Sequence, residues 1–184
     1  EHEQTGSQIE ELLAALESSD SPIVFTMPNA DTGGQLIAST IRRFASQNTR
    51  VRVFDNLGAR RYYSVMAAAA AMVGNSSSGI IEAPSFELPV VNVGSRQGGR
   101  IRAGNVIDVG YSREEIVSGI NRARSREFRT SLVGMSNPYG RGDAASRITE
   151  QLRGVSLGKS LLTKRFNDLT QSGNTQIFSP ERVS

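Results

Sequence analysis

Gly74-Asn-Ser-Ser-Ser-Gly-Ile-Ile-Glu-Ala-Pro84 decides the fold. A hydrophobic run, residues 70–73, leads into it, a turn of small residues follows, and a short helical stretch then carries one acid, Glu82. This is the layout of a strand, an anion-binding turn and a helix N-terminus. The first N–H groups of a helix have no intrahelical partners, and its dipole adds partial positive charge there. A phosphate or pyrophosphate is the natural guest. Ser76, Ser77 and Ser78 add hydroxyl donors, and Glu82 follows about one helical turn later, where a carboxylate can grip a ribose diol. The plainer alternative is a capped helix start without a ligand, since short Ser/Gly turns are common N-caps.

Working outward, short apolar runs alternate with helical patterns. Strands are expected at residues 23–26, 51–54, 71–74, 89–93 and 105–109. Helices are expected at 8–17, opened by a Ser7-Gln-Ile-Glu10 capping box, and at 35–46 and 60–70. Others are expected at 113–125, opened by Ser112-Arg-Glu-Glu115, and at 144–152, with weak helical character over 158–169. The alanine run 67–71 reads as a tightly packed helix face, and 171–184 as a disordered tail. Strands alternating with helices at this spacing mean βαβ units and a parallel sheet. The chain is therefore read as α/β, a Rossmann-like domain over residues 1–170. Ligands of open parallel sheets bind at the carboxyl ends of the strands. Asn29, Asn56, the Asn75 turn and the Gly94 turn all follow strands and are expected to meet on one rim.

The 184 residues are enough for one full core. Hydrophobic content of 38% with mixed charges reads as a soluble fold. No apolar run approaches the roughly 20 residues of a membrane span, and the polar start reads as lacking a signal peptide. The absence of cysteine excludes disulfides and thiolate chemistry, and fits the cytoplasm. Net charge is +3, carried largely by scattered arginines such as Arg42, Arg43, Arg60, Arg61, Arg96 and Arg102. Arginine suits bidentate phosphate recognition. No dense basic run appears, so a phosphorylated small ligand is favoured over nucleic acid.

Six strings together resemble the UDP-N-acetylglucosamine 2-epimerase family, specifically its carboxyl-terminal domain and most closely its hydrolysing branch. They are Pro28-Asn-Ala-Asp31, Asn56-Leu-Gly58, the Gly74 to Pro84 stretch, Pro89-Val-Val-Asn-Val-Gly94, Arg96-Gln-Gly-Gly-Arg100 and Asn137-Pro-Tyr-Gly140. The similarity covers roughly residues 7–153. It implies the carboxyl-terminal half of a GT-B architecture, two Rossmann-like domains with the nucleotide sugar between them. It further implies elimination of UDP from the sugar, inversion at carbon 2, and release of N-acetylmannosamine for sialic acid or related acids, with no cofactor and no metal. Such chemistry needs an acid/base pair and donors for the departing diphosphate.

By the same resemblance, Ser76 and Ser77, with the backbone near Ser78 and Gly79, hold the diphosphate. Glu82 accepts the ribose hydroxyls, and Arg96, with Arg100 as a weaker candidate, reaches the phosphate or sugar side. Asn29 lies beside the sugar and Tyr62 near the uracil. Each has a plainer reading: helix caps for the serines, a first-turn acid complementing the dipole for Glu82, and solvated loop arginines. For Asn29 it is a turn residue, and for Tyr62 ordinary helix packing. His2 is assigned no role.

Two departures stand out. Arg141 follows Gly140 where the family has Asp-Gly, and the chain is about half the family's length. The missing half is the amino-terminal domain, which carries the family's main acid/base carboxylates. No catalytic residue is therefore assigned here. The expectation is a half-site that binds UDP or UDP-N-acetylglucosamine weakly and turns nothing over alone. Its inter-domain surface leaves a homo-oligomer open. The alternatives are the donor-nucleotide domain of a GT-B glycosyltransferase and a non-catalytic nucleotide-sugar-binding module.

Overall fold

Short valine-rich stretches of three or four residues build the strands, and amphipathic stretches of 11 to 13 residues build the main helices. The computed structural model describes residues 4–28 and 33–163. The order is α1 (Thr5–Glu17), β1 (Ile23–Thr26), α2 (Gly34–Ser46), β2 (Val51–Phe54), α3 (Gly58–Ala68), β3 (Met72–Gly74) and α4 (Ser78–Ile81). A 3-10 turn (Ala83–Phe86), β4 (Val90–Val93), β5 (Val106–Val109), α5 (Arg113–Arg124), α6 (Arg126–Ser131), α7 (Ala144–Gly154) and α8 (Lys159–Leu162) follow.

The fold class is the expected one: parallel strands flanked by helices. One detail differs. In place of one sheet there are two, β1–β2 and β3–β4–β5. Side chains join them, because Ile23 and Phe25 of β1 pack on the same cluster as Val91, Val93 and Ile107.

The register explains the layers. Met72, Val90 and Val106 stand side by side, and so do Val73, Val91 and Ile107. Successive residues of a strand face opposite sides. The first row meets Met66 and Tyr62 of α3 together with Ala83 and Leu88. The second meets Ala15 and Leu16 of α1 and Ile116, Ile120 and Ala123 of α5. Both faces of these strands are thus apolar, as parallel strands require. A third row, Gly74, Asn92 and Asp108, brings polar groups to the carboxyl end. On β1–β2, helices α1 and α2 close a smaller cluster through Ile9, Leu13 and Ile41.

The Ser112 capping box forms: its Oγ accepts from the Glu115 N–H and donates to the Glu115 carboxylate. The Ser7 box does not. Helix α1 starts at Thr5, three residues before the expected start, so Ser7 lies inside it and its hydroxyl donates back to the Gln4 carbonyl at 3.0 Å. The alanine run is not a packed face either, since α3 stops at Ala68 and Ala67, Ala68 and Ala70 are exposed. Helix α6 is not among the helices expected, because only Ser125 separates it from α5. Ser125 caps its start by accepting from the Phe128 N–H.

The chain forms two compact units, residues 1–141 and 142–184. The strands and α1 to α6 belong to the first; α7 and α8 belong to the second. The domain expected over 1–170 crosses this division. The tail at 171–184, and the helical character expected beyond residue 163, lie outside the described residues. Among the described residues no helix is long and apolar enough to cross a membrane, and no cluster of His, Asp and Glu is arranged to hold a metal ion.

Candidate functional site

Strand β3 ends at Gly74, and the chain turns through Asn75, Ser76 and Ser77 into α4. Asn75 and Ser76 are exposed; Ser77 and Ser78 are half-buried and Gly79 is buried. The Ser76 hydroxyl accepts from the Ser78 N–H at 3.3 Å. Ser77 occupies the N-cap position, yet its side chain makes no cap hydrogen bond. Capping by its hydroxyl is therefore not why a serine stands there.

Glu82 does not open a long helix. Helix α4 is one turn, and Glu82 caps its carboxyl end, its N–H donating to the Ser78 carbonyl at 3.0 Å. The reading of Glu82 as a first-turn acid complementing a dipole fails, because it stands at the negative end of α4. The Glu82 Oε2 is buried and has no hydrogen-bond partner among the described residues. A buried carboxylate oxygen without a donor is costly.

The loop after β4 arches back over this turn. Gly94 has a φ of 76°, and a β-carbon there would run into the Tyr111 ring. Glycine is thus needed on both counts. Arg96 and Arg100 are exposed on this loop. Gln97 between them is buried, and its Nε2 donates to the Asn75 carbonyl at 2.7 Å. The turns after β3 and β4 therefore meet, which is the Asn75 and Gly94 part of the expected common rim; Asn29 lies outside the described residues, and Asn56 follows β2 in the other sheet. Behind them Asn92 donates to Asp108 at 2.7 Å, and Asp108 pairs with Arg102.

The Asn137-Pro-Tyr-Gly140 loop docks on the same region. Asn137 Nδ2 donates to the Ile81 carbonyl at 2.9 Å and to the Ser85 hydroxyl at 2.7 Å. The Tyr139 hydroxyl donates to the Ile101 carbonyl at 2.9 Å. This loop braces α4 against the loop carrying Arg96 and Arg100.

Of the residues singled out from sequence, Ser76, Ser77, Ser78, Gly79 and Glu82 share one segment, and Gln97 ties it to the loop of Arg96 and Arg100. Tyr62 sits apart in role: half-buried, it packs against the cluster of Met66, Ala83, Leu88 and Val90, with its ring 6.0 Å from that of Tyr63. Asn29 lies outside the described residues. The residues missed were Gln97, Asn92, Arg102 and Asp108. The one available signal was the polar pair Asn92 and Asp108 inside otherwise apolar strands.

Residues 1–153 match the family model described as UDP-N-acetylglucosamine 2-epimerase. The chain is 37% identical over 168 residues to the GDP/UDP-N,N'-diacetylbacillosamine 2-epimerase (hydrolyzing) of Campylobacter jejuni, covering 90% of this chain and 43% of that protein. It is also 37% identical to the UDP-N,N'-diacetylbacillosamine 2-epimerase (hydrolyzing) of Legionella pneumophila, over 85% of this chain and 40% of that one. The chain thus spans about two fifths of the length of the curated relatives it matches. The solved S. aureus MnaA–UDP co-structure superposes with a TM-score of 0.65 at 20% identity, covering 80% of this chain and 41% of that one. The Methanocaldococcus jannaschii UDP-GlcNAc 2-epimerase in complex with UDP-GlcNAc and UDP gives 0.62 at 17% identity, covering 82% and 41%. At these identities the structural matches speak to the fold.

Proposed function

The chain belongs to the UDP-N-acetylglucosamine 2-epimerase family, and from that premise we propose that it is the UDP-binding part of a hydrolysing nucleotide-sugar 2-epimerase. The observation that carries this reading is the β3–α4 turn, with the exposed Ser76 and half-buried Ser77 and Ser78 on one side and the unpartnered Glu82 Oε2 one turn further on. The diphosphate rests on the N–H groups of Ser76 and Ser77 and on the hydroxyls of residues 76–78, with the Ser78 and Gly79 backbone held behind them by bonds to the Ser76 hydroxyl and carbonyl. Glu82 turns to the ribose diol, whose hydroxyls supply the donors its buried oxygen lacks. Arg96 and Arg100, exposed on the facing loop, neutralise the phosphates. Tyr62, by this reading, keeps its packing role and borders the uracil only through its half-exposed edge, and Asn29 stands beside the sugar.

The reaction is elimination of UDP with loss of the carbon 2 proton, followed by water addition and return of a proton on the other face. Its acid/base groups lie in the part of the relatives that this chain does not span, so the chain alone binds UDP and does not turn over. The sugar is a 2-acetamido sugar. The relatives named for diacetylbacillosamine and the Neisseria meningitidis relative named for UDP-N-acetylglucosamine, 33% identical, bracket the choice.

Calorimetric titration of the chain with UDP, with ADP as control, tests this. Saturable binding of UDP in preference to ADP is expected. Equal binding of the two nucleotides, or none, removes the uridine-diphosphate reading.

A further inference from the structure

We propose that Gln97 is a positioning residue for the diphosphate turn, acting through the Asn75 carbonyl; this rests on the phosphate reading of that turn. Its neighbours Ser95, Arg96, Gly98, Gly99 and Arg100 are all exposed, whereas Gln97 is 3% exposed. A buried amide is costly to desolvate, and here one of its atoms, Oε1, has no partner among the described residues. Methionine or leucine would fill the same space without that cost. The group that explains a glutamine is the donor: Nε2 reaches the carbonyl of Asn75, 22 residues away in sequence, at 2.7 Å.

The consequence follows from the geometry of a peptide. In a trans peptide the carbonyl and the next N–H lie in one plane and point in opposite directions. Gln97 draws the Asn75 carbonyl inward, and so turns the N–H of Ser76 outward, to the side where Asn75 and Ser76 are exposed. That N–H is thereby aimed as an anion donor before any ligand arrives. Gln97 is itself held in place. Its carbonyl accepts from Arg102 Nη2 at 3.1 Å, Arg102 pairs with Asp108, and Asp108 accepts from the buried Asn92 at 2.7 Å. Asn92 and Asp108 are adjacent in the sheet register. The rigid strands thus set the turn's peptide plane through a chain of polar contacts.

The test is Gln97→Met in this chain, which keeps length and removes the donor. Titration with UDP and with inorganic pyrophosphate is expected to show both affinities falling about tenfold, the effect of one lost hydrogen bond. Amide NMR without ligand is expected to show the Ser76 signal displaced and those of α5 unmoved. A merely structural role lowers the melting temperature but leaves the affinity of the folded protein and the Ser76 signal unchanged, and that result overturns the proposal. If the variant does not fold, Arg102→Met releases the Gln97 carbonyl without touching its amide. The same Ser76 displacement is then expected, and an unmoved signal overturns the proposal. If the unaltered chain binds no UDP, the phosphate reading falls and takes this role with it. If it binds and Gln97→Met matches it in affinity and spectrum, only the role of Gln97 falls.

Discussion

Gly79 of α4 lies against Val90 of β4 so closely that a β-carbon on the glycine would sit 2.8 Å from Val90 Cγ1. This contact lets a four-residue helix pack closely on the central strand of the three-stranded sheet and keeps the serine turn beside the strand end. Gly79→Ala is expected to destabilise the chain by about 1–3 kcal/mol through overpacking. Urea unfolding measures it. Adding Val90→Ala relieves the clash, so the double variant loses less than the sum of the singles. Strict additivity would mean the two do not constrain each other.

Glu82→Ala is expected to weaken UDP binding about tenfold or more while leaving inorganic pyrophosphate nearly untouched, since hydrogen bonds to a charged group are worth about 1.5–3 kcal/mol. Pyrophosphate has no ribose. Parallel titrations decide it, and equal losses for the two ligands remove the ribose assignment.

Arg96 is exposed on its loop. Arg96→Ala is expected to weaken UDP binding by more than it lowers stability, because the lost charge acts on the phosphates. Calorimetric titration and thermal melts read the two effects separately. A large fall in melting temperature would mark Arg96 as a structural residue instead.

Replacing Ser76 and Ser77 together by alanine is expected to lower pyrophosphate affinity about tenfold, because two hydroxyl donors vanish while the backbone stays. The Ser77 side chain makes no cap bond, so the stability lost is expected to come from Ser76, whose hydroxyl accepts from the Ser78 N–H, and a thermal melt reads it separately. An unchanged affinity means the turn's N–H groups hold the diphosphate without the hydroxyls.

Much of the first unit was legible in the chain. The valine-rich stretches at 51–54 and 90–93 and the Ser112 box are local signals, and each produced the element expected of it. The parallel α/β class follows from their spacing. Local signals misled where one short motif matched by chance, as at Ser7, or where an alanine run carried no face of its own.

By itself the sequence determined the order of the strands and main helices, the β3–α4 turn and the family, because period, caps and motif strings are properties of contiguous residues. Only the tertiary structure decided that Gln97 goes inside while Arg96 and Arg100 stay out, that Glu82 closes a one-turn helix with a buried oxygen, and that the strands divide into two sheets. These depend on which groups meet across tens of residues. Burial of a polar side chain is settled by its partner, and the partner of Gln97 lies 22 residues away on a different strand end.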